Sequence, residues 1–291
     1  MSATAELHAA QLATASLSRR PRLLARTLRT PGGAFGAAIT LALVIVGLLA
    51  PLLAPTDTFA VDGPPLSGPS RAYPLGTDAL GRDLLSGVIY GARTSLLVAA
   101  SVVALVIVIG TAVGLLSGYI GGWVDDVLMR GTELFQVLPR FFLALVVIAF
   151  FGPGIDRLVL LLGLTSWPLF ARVIRVEVFA LRRREFVEAA RVSGASSTRI
   201  LLREILPNAM PPGIALLGLI VAQVILIEAS LGFLGLGDPN VTSWGTLASE
   251  AQRFLRVAWW LSLFPGLSIL VAVLGLNLLG DAVTDALTGR R

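Results

Sequence analysis

The chain contains no cysteine, no lysine and a single histidine, His8, and only 14% of its 291 residues are charged. The absence of cysteine excludes disulfides and thiolate metal sites. A P-loop needs a lysine to reach the nucleotide phosphates, so the chain cannot carry that nucleotide site. One histidine near the N-terminus excludes the HExxH zinc motif and leaves no histidine for catalysis in the rest of the chain. We therefore expect no catalytic residues, no metal site and no cofactor in this chain.

Apolar residues make up 55% of the sequence, and the mean hydropathy is +0.83. A soluble domain of this size does not need so much apolar surface, which indicates a protein with several membrane spans. The predicted fold class is all-α, with six transmembrane helices, and Pro139 is expected to kink the third. The six runs are residues 34–54, 95–117, 125–151, 157–178, 212–236 and 261–279.

The basic residues are all arginines, and most of them flank particular apolar runs. Cytoplasmic flanks of membrane spans carry such clusters, so both termini are placed in the cytoplasm. This orientation makes residues 1–33 and 283–291 cytoplasmic tails and residues 55–94 an extracytoplasmic segment. Nucleic-acid binding, the other interpretation of a basic cluster, is not needed because membrane flanks explain it. The two clusters are Arg19, Arg20, Arg22, Arg26 and Arg29, and Arg172, Arg175, Arg182, Arg183 and Arg184.

Glycines recur at every fourth position at the end of the second run. Such spacing forms a flat groove on a helix, in which another helix can approach closely. The groove is expected to pack within this chain or against a second membrane subunit. The glycines are Gly110, Gly114, Gly118 and Gly122.

A polar, charged stretch at residues 185–208 interrupts the apolar sequence after the fourth run. We predict two short helices, the first ended by Gly194 in the left-handed conformation and the second ended by Pro207. Ser196 or Ser197 is expected to cap the start of the second helix. The stretch is either an ordinary loop or a docking surface for a soluble partner.

The predicted helices of residues 185–208 are amphipathic. The first has its apolar side at Phe186, Ala189, Ala190 and Val192 and its charged side at Glu185, Glu188 and Arg191. The second has its apolar stripe at Ile200, Leu201, Ile205 and Leu206.

Two further polar features need an interpretation. Residues 73–86 predict a turn followed by a helix capped by Asp78 or Asp83. The fifth run contains Gln223 and Glu228, and an acid within a span is costly, so it should face the bundle interior with a partner. Glu228 is either a pathway or gating residue, or a structural acid bonded near the outer surface.

The spacing of several residues in the 185–208 stretch resembles the EAA motif of ABC-importer permeases. The match departs from that pattern at Glu204, where the family has isoleucine. The matching residues are Glu188, Ala189, Ala190, Gly194, Leu206 and Pro207, and the resemblance assigns coupling to an ATPase to these residues and to Arg191 between them. An ion pair between Glu188 and Arg191 would help hold the first helix.

A second group of residues resembles the C-type permease subunit of dipeptide, oligopeptide and nickel importers. It includes residues 90–96, 228–237 and 244–245, and the whole resemblance covers about residues 30–285. Its most specific part is an extracytoplasmic signature that would contact a binding protein or an outer gate. The signature residues are Gly76, Thr77, Asp78, Gly81, Arg82 and Asp83.

The resemblance implies a type I ABC importer transmembrane fold, with a core at residues 95–282 and a subfamily addition at residues 34–94. It also implies a multi-pass protein of the bacterial plasma membrane that forms half of a peptide pathway. The implied partners are a homologous B-type permease, two cytoplasmic ATPases that bind ATP and magnesium, and an extracytoplasmic solute-binding protein. Gln223 and Glu228 would be candidate pathway or gate residues.

Other functions fit the sequence less well. Importers of the same family that carry nickel, glutathione or haem remain open, because specificity would sit mostly in the binding protein. A secondary transporter would usually show inverted repeats and several intramembrane charges. An intramembrane enzyme would need a catalytic group, and Asp125 and Asp126 lie at an inner flank where solvated charges are expected.

Overall fold

The computed structural model describes residues 23–137 and 139–288, and that part of the chain is built from α-helices without a β-strand. The predicted tail with Arg19, Arg20 and Arg22, and the last three residues, lie outside this part. The helices are α1 (Leu23–Thr27), α2 (Pro31–Leu48), α3 (Ala50–Leu53), α4 (Leu84–Ile120), α5 (Gly122–Val137), α6 (Arg140–Phe151), α7 (Ile155–Leu181), α8 (Glu185–Val192), α9 (Ser197–Leu236), α10 (Trp244–Ala251) and α11 (Trp260–Thr288).

Five of the described helices, α2, α4, α7, α9 and α11, are long and apolar enough to cross a membrane. Helices α5 and α6 meet at a bend of 79° beside Pro139, and together they would supply a sixth span. The bend agrees with the predicted kink, because a proline removes a backbone hydrogen bond and clashes with the preceding turn. Helix α11 continues to Thr288, so the expected C-terminal tail is mostly helical.

The helix bundle has two ends, the cap end and the elbow end. The cap end contains residues 54–83, 152–154 and 237–259, and the amide of Ile155 there donates to a carboxylate oxygen of Asp238 at 3.4 Å. The elbow end contains the turn between α4 and α5 and the connection between α7 and α9.

Helix α4 packs along α7, and the predicted glycine groove lies between them. A Cβ atom at Gly114 would lie 2.7 Å from the carbonyl oxygen of Ala171, and one at Gly118 would lie 2.7 Å from that of Arg175. Only glycine allows the backbones to come so close. Gly122 is outside the groove, since a Cβ there would meet nothing within 4 Å.

Helix α4 begins at Leu84, about three turns before the expected start at Ser95. The carboxylate of Asp83 caps it and accepts the amide of Ser86 at 2.9 Å, as predicted for one of the two candidate caps. The extra turns mix apolar with small and polar residues, and they pack in the fold, where a Cβ at Gly91 would lie 2.7 Å from the indole of Trp244 in α10. The segment between the first two spans therefore ends at Asp83, rather than at residue 94.

The prediction that Pro207 ends a helix is wrong. The helix continues past Pro207 as far as Leu234, since the first residue with non-helical backbone angles is Gly235. Pro207 stands in the first turn of the α-helical part that begins at Leu206. A wide π-helical turn at Ile200–Ile205 precedes it. Proline is tolerated there because the change of hydrogen-bonding pattern leaves its missing N–H without a required acceptor.

Candidate functional site

Residues 182–208 form the connection between α7 and α9 at the elbow end. Gly194 has φ +77°, the left-handed value predicted for the residue after α8. The amide of Ala195 closes the helix end by donating to the carbonyl of Ala190 at 3.0 Å. Ser196 caps the next helix, accepting the amide of Arg199 at 3.3 Å. The predictions of the first short helix, of Gly194 after it and of a serine cap are therefore confirmed, whereas the second helix is the start of α9 and is not short.

The surfaces of this connection differ from the predicted pattern in α8. The one fully buried side chain of α8 is Val187, whereas Phe186 and Ala189 are exposed and Val192 is 90% exposed. Of the predicted apolar side, Ala190 therefore packs against the core, while the other three residues point away from this chain. In the following turn, Ile200 and Ile205 are buried as expected, and they anchor the connection to the bundle.

Tyr119, near the end of α4, ties the connection to the bundle. Its carbonyl oxygen accepts a hydrogen bond from Arg182 at 3.0 Å, and the guanidinium of Arg191 lies 5.9 Å from the centre of its ring. An arginine at this distance over an aromatic face is attracted by the ring. Arg191 therefore contacts α4, and among the described residues no ion pair joins it to Glu188. Glu188 is exposed.

The residues of the signature at the cap end are mostly buried. The hydroxyl of Thr77 donates to the carbonyl of Pro64 at 2.5 Å, and Asp78 accepts the amides of Leu80 and Arg82 at 2.8 Å each. Gly76 and Gly81 have φ of +84° and +86°. These contacts make the signature a folded cap, with Leu80 exposed at its tip.

A cavity of about 130 Å³ lies beneath the cap, and its wall includes Asp78, Arg82, Asp83, Asp238 and Glu250. The guanidinium of Arg82 lies over the ring of Phe59, at 5.2 Å from its centre. Loss of water around the carboxyl raises the pKa of Glu250, the negative charge of Asp78 raises it further, and Arg82 opposes the shift. Within the described residues, no group of three acidic, histidine or cysteine side chains could hold a metal ion.

The two polar residues of the fifth span point in different directions. Glu228 is buried, accepts the hydroxyl of Ser95 at 2.9 Å, and has Ser243 as a second partner. It joins α4, α9 and the start of α10, which agrees with the structural interpretation. Gln223 is exposed on the bundle surface, and a polar amide on a span needs a polar surface in front of it.

Sequence reasoning missed an ion pair at the elbow end. Asp125, which we expected to be solvated, is buried and accepts two hydrogen bonds of 2.5 Å from Arg175. The two residues are far apart in sequence, so only the packing of α5 on α7 brings them together. The one indication in the sequence is that Asp125 lies in the first turn of an amphipathic helix, where exposed acids are also common.

This chain is similar to known proteins in both sequence and fold. The family model described as "Binding-protein-dependent transport system inner membrane component" matches residues 110–291. The dipeptide transport permease DppC of Alkalihalophilus pseudofirmus is 37% identical over 87% of this chain and 84% of its own length. The di/tripeptide permease DppC of Pseudomonas aeruginosa is 38% identical over 88% of this chain and 87% of its own.

A glutathione transport permease, GsiD of Pectobacterium atrosepticum, is 38% identical over 76% of this chain and 73% of its own length. Among solved structures, an inward-facing form of the MetNI methionine ABC transporter matches with a TM-score of 0.56. The match covers 70% of this chain and 97% of that chain at 19% identity, which supports the shared fold alone.

Proposed function

Since the chain belongs to the membrane permeases of binding-protein-dependent ABC importers, we propose that it forms half of the pathway of a peptide importer. The other half is a homologous permease, and the exposed face of α9 with Gln223 turns towards it or towards the pathway. The relatives named for dipeptide and di/tripeptide transport support peptides as the substrate.

The observation that carries this proposal is the outward apolar side of α8. Val192 and Phe186 are exposed on the face of α8 opposite the buried Val187, and amphipathic helices commonly dock in grooves of partner proteins. We assign α8 and Gly194 to a groove on a cytoplasmic ATPase. ATP and magnesium belong to two such ATPases, because this chain has no lysine for a P-loop.

The difference in charge between the two ends of the bundle supports a cytoplasmic location for the elbow end. Residues 182–208 hold six arginines against three glutamates, whereas residues 54–83 hold two arginines against four aspartates. Cytoplasmic segments of bacterial membrane proteins carry the excess of arginine. The cap end then faces outward, and both chain termini lie in the cytoplasm.

The outward cap end would receive the solute-binding protein. Most signature side chains are buried, so they shape the cap and do not touch this partner directly. The exposed Leu80 borders a groove of about 650 Å³ with Phe233 and Leu234 of α9, and this groove is the surface we assign to the contact.

Uptake into proteoliposomes tests the proposed function. The complete complex is reconstituted with ATP inside and the binding protein outside, and a radiolabelled alanine dipeptide is offered. We expect accumulation that needs both ATP and the binding protein and that unlabelled di- and tripeptides abolish. A complex that accumulates a nickel chelate or haem but no peptide would refute the peptide substrate, and ATP-independent accumulation would refute the importer.

A further inference from the structure

The side chain of Asp125 holds three elements together at the elbow end. Its two carboxylate oxygens accept hydrogen bonds from Nε and Nη2 of Arg175, each at 2.5 Å. The hydroxyl of Ser117 donates to one of the same oxygens. Such two-pronged bonding between an arginine and a carboxylate fixes the orientation of both groups. Asp125 thus connects the end of α4, the start of α5 and the inner half of α7.

The elbow between α4 and α5 gives this contact its importance. Gly121 and Gly122 have φ of +71° and +57°, a left-handed turn that interrupts the helix. The direction of α5 is therefore not set by helical continuity with α4. The contact of Asp125 with Arg175 is a lateral contact that sets this direction, because it attaches the first turn of α5 to α7.

The same part of α7 leads directly into residues 182–208. Arg175 lies less than two turns before Leu181, the last residue of α7. Arg182 follows it and bonds to the carbonyl of Tyr119, and a Cβ at Gly121 would lie 2.9 Å from the same guanidinium. A displacement of residues 182–208 is therefore passed to the turn at Gly121 and Gly122 through the direct contacts of Arg182.

We propose that Asp125 and Arg175 are positioning residues for transport, which pass the movement of the docked connection from α7 to α5 and α6. This inference rests on the proposed coupling role of residues 182–208. The span that the contact would move is the pair α5–α6, because Asp125 lies in the first turn of α5. The two helices of this pair meet at a bend of 79°.

A second ion pair between α5 and α7 supplies a matched control. Arg172 and Glu133 lie 3.9 Å apart, and their side chains are 41% and 62% exposed. Exposed pairs of this kind contribute little, because water and salt screen them. Substitution of Glu133 changes the same charge type on the same helix pair without touching the buried contact.

The first experiment compares Asp125→Asn with Glu133→Gln in the reconstituted complex. The measurement is the ratio of ATP hydrolysis with peptide-loaded binding protein to hydrolysis without it. We expect Asp125→Asn to lower this ratio about tenfold, within the usual range of coupling effects, and Glu133→Gln to leave it within about twofold. An unchanged ratio in Asp125→Asn would overturn the inference. A wild-type complex without any stimulation would instead count against the proposed function.

The second experiment replaces the ion pair by a covalent tie, and it decides the matter if Asp125→Asn fails to assemble. The chain has no cysteine, so Asp125→Cys with Arg175→Cys creates a unique pair in it for a bifunctional thiosulfonate. We expect the double variant to have a low ratio of stimulated to basal ATP hydrolysis before cross-linking and a recovered ratio afterwards. In each single cysteine variant treated with the same reagent, the ratio should stay low. No recovery in complexes whose tie is verified by mass spectrometry would overturn the inference.

Discussion

Trp260, the first residue of α11, donates its indole N–H to the carbonyl oxygen of Thr77, with 3.2 Å between nitrogen and oxygen. Both residues are buried, and a Cβ at Gly76 would lie 2.8 Å from the same indole ring. The bond joins the cap to the start of the last span. The signature of the cap is therefore explained by the way it folds onto α11.

Substitution of Trp260 by phenylalanine should destabilise the cap. An aromatic ring is kept, but the carbonyl of Thr77 loses its buried donor, which costs about 1–3 kcal/mol, and the smaller ring leaves part of the space empty. The expected result is a lower melting temperature of the purified chain in detergent. Trp259→Phe is the control, because Trp259 is 55% exposed and Trp260 only 8%. Equal melting temperatures for the two variants would contradict the role given to this bond.

Two glycines should respond in opposite directions to alanine. At Gly114 a new Cβ would lie 2.8 Å from the Cβ of Ile174, so Gly114→Ala should separate α4 from α7 and cost about 1–3 kcal/mol. At Gly131 a Cβ would meet nothing within 4 Å, so Gly131→Ala should stabilise helix α5 by about 1 kcal/mol. Thermal melting in detergent checks both signs. A stabilised Gly114→Ala variant would show that the groove is not closely packed.

Replacement of Glu250 by glutamine should make stability less dependent on pH. An acid whose pKa is raised on folding binds its proton more tightly in the folded chain, so folding loses stability as the pH rises from below the ordinary value of 4.5 through the raised pKa. Glu250→Gln removes this loss. We expect the variant to melt above the wild type at pH 8 and the difference to vanish below pH 4.5.

Asp156→Asn is the control for this change of net charge, since Asp156 is at the same end and its side chain is 73% exposed. The reverse order, with Glu250→Gln less stable than the wild type at pH 8, would contradict the direction given for the pKa of Glu250.

The sequence predicts local features well where the signal is local. Gly194 at a left-handed position, Ser196 as a cap and Asp83 as a cap each follow from side-chain chemistry within a few residues, and the structure has all three. The apolar runs likewise locate the spans, because their length must match the thickness of a bilayer.

Features that depend on distant parts of the chain were not predictable in the same way. The early start of α4 depends on Trp244, whose indole donates to the carbonyl of Val88 at 3.0 Å from a helix far along the sequence. The buried state of Asp125 depends on Arg175 in another span. The burial of Val187 and the exposure of Val192 in α8 were likewise not predictable, because apolar periodicity does not show which side chains the rest of the chain covers.

The docking of α8 on an ATPase is tested most directly at Gly194, where the chain leaves open space. A Cβ there would meet nothing within 4 Å, so this chain leaves room at the position, and we expect a bulky residue to clash with a docked partner. Asparagine tolerates the left-handed backbone and serves as the control for strain. The measurement is ATP hydrolysis stimulated by peptide-loaded binding protein in proteoliposomes. We predict that Gly194→Trp loses at least about 90% of the stimulation, a tenfold change within the usual range of coupling between two sites. Gly194→Asn should keep most of the stimulation. Full stimulation in Gly194→Trp would contradict the docking of α8 on an ATPase.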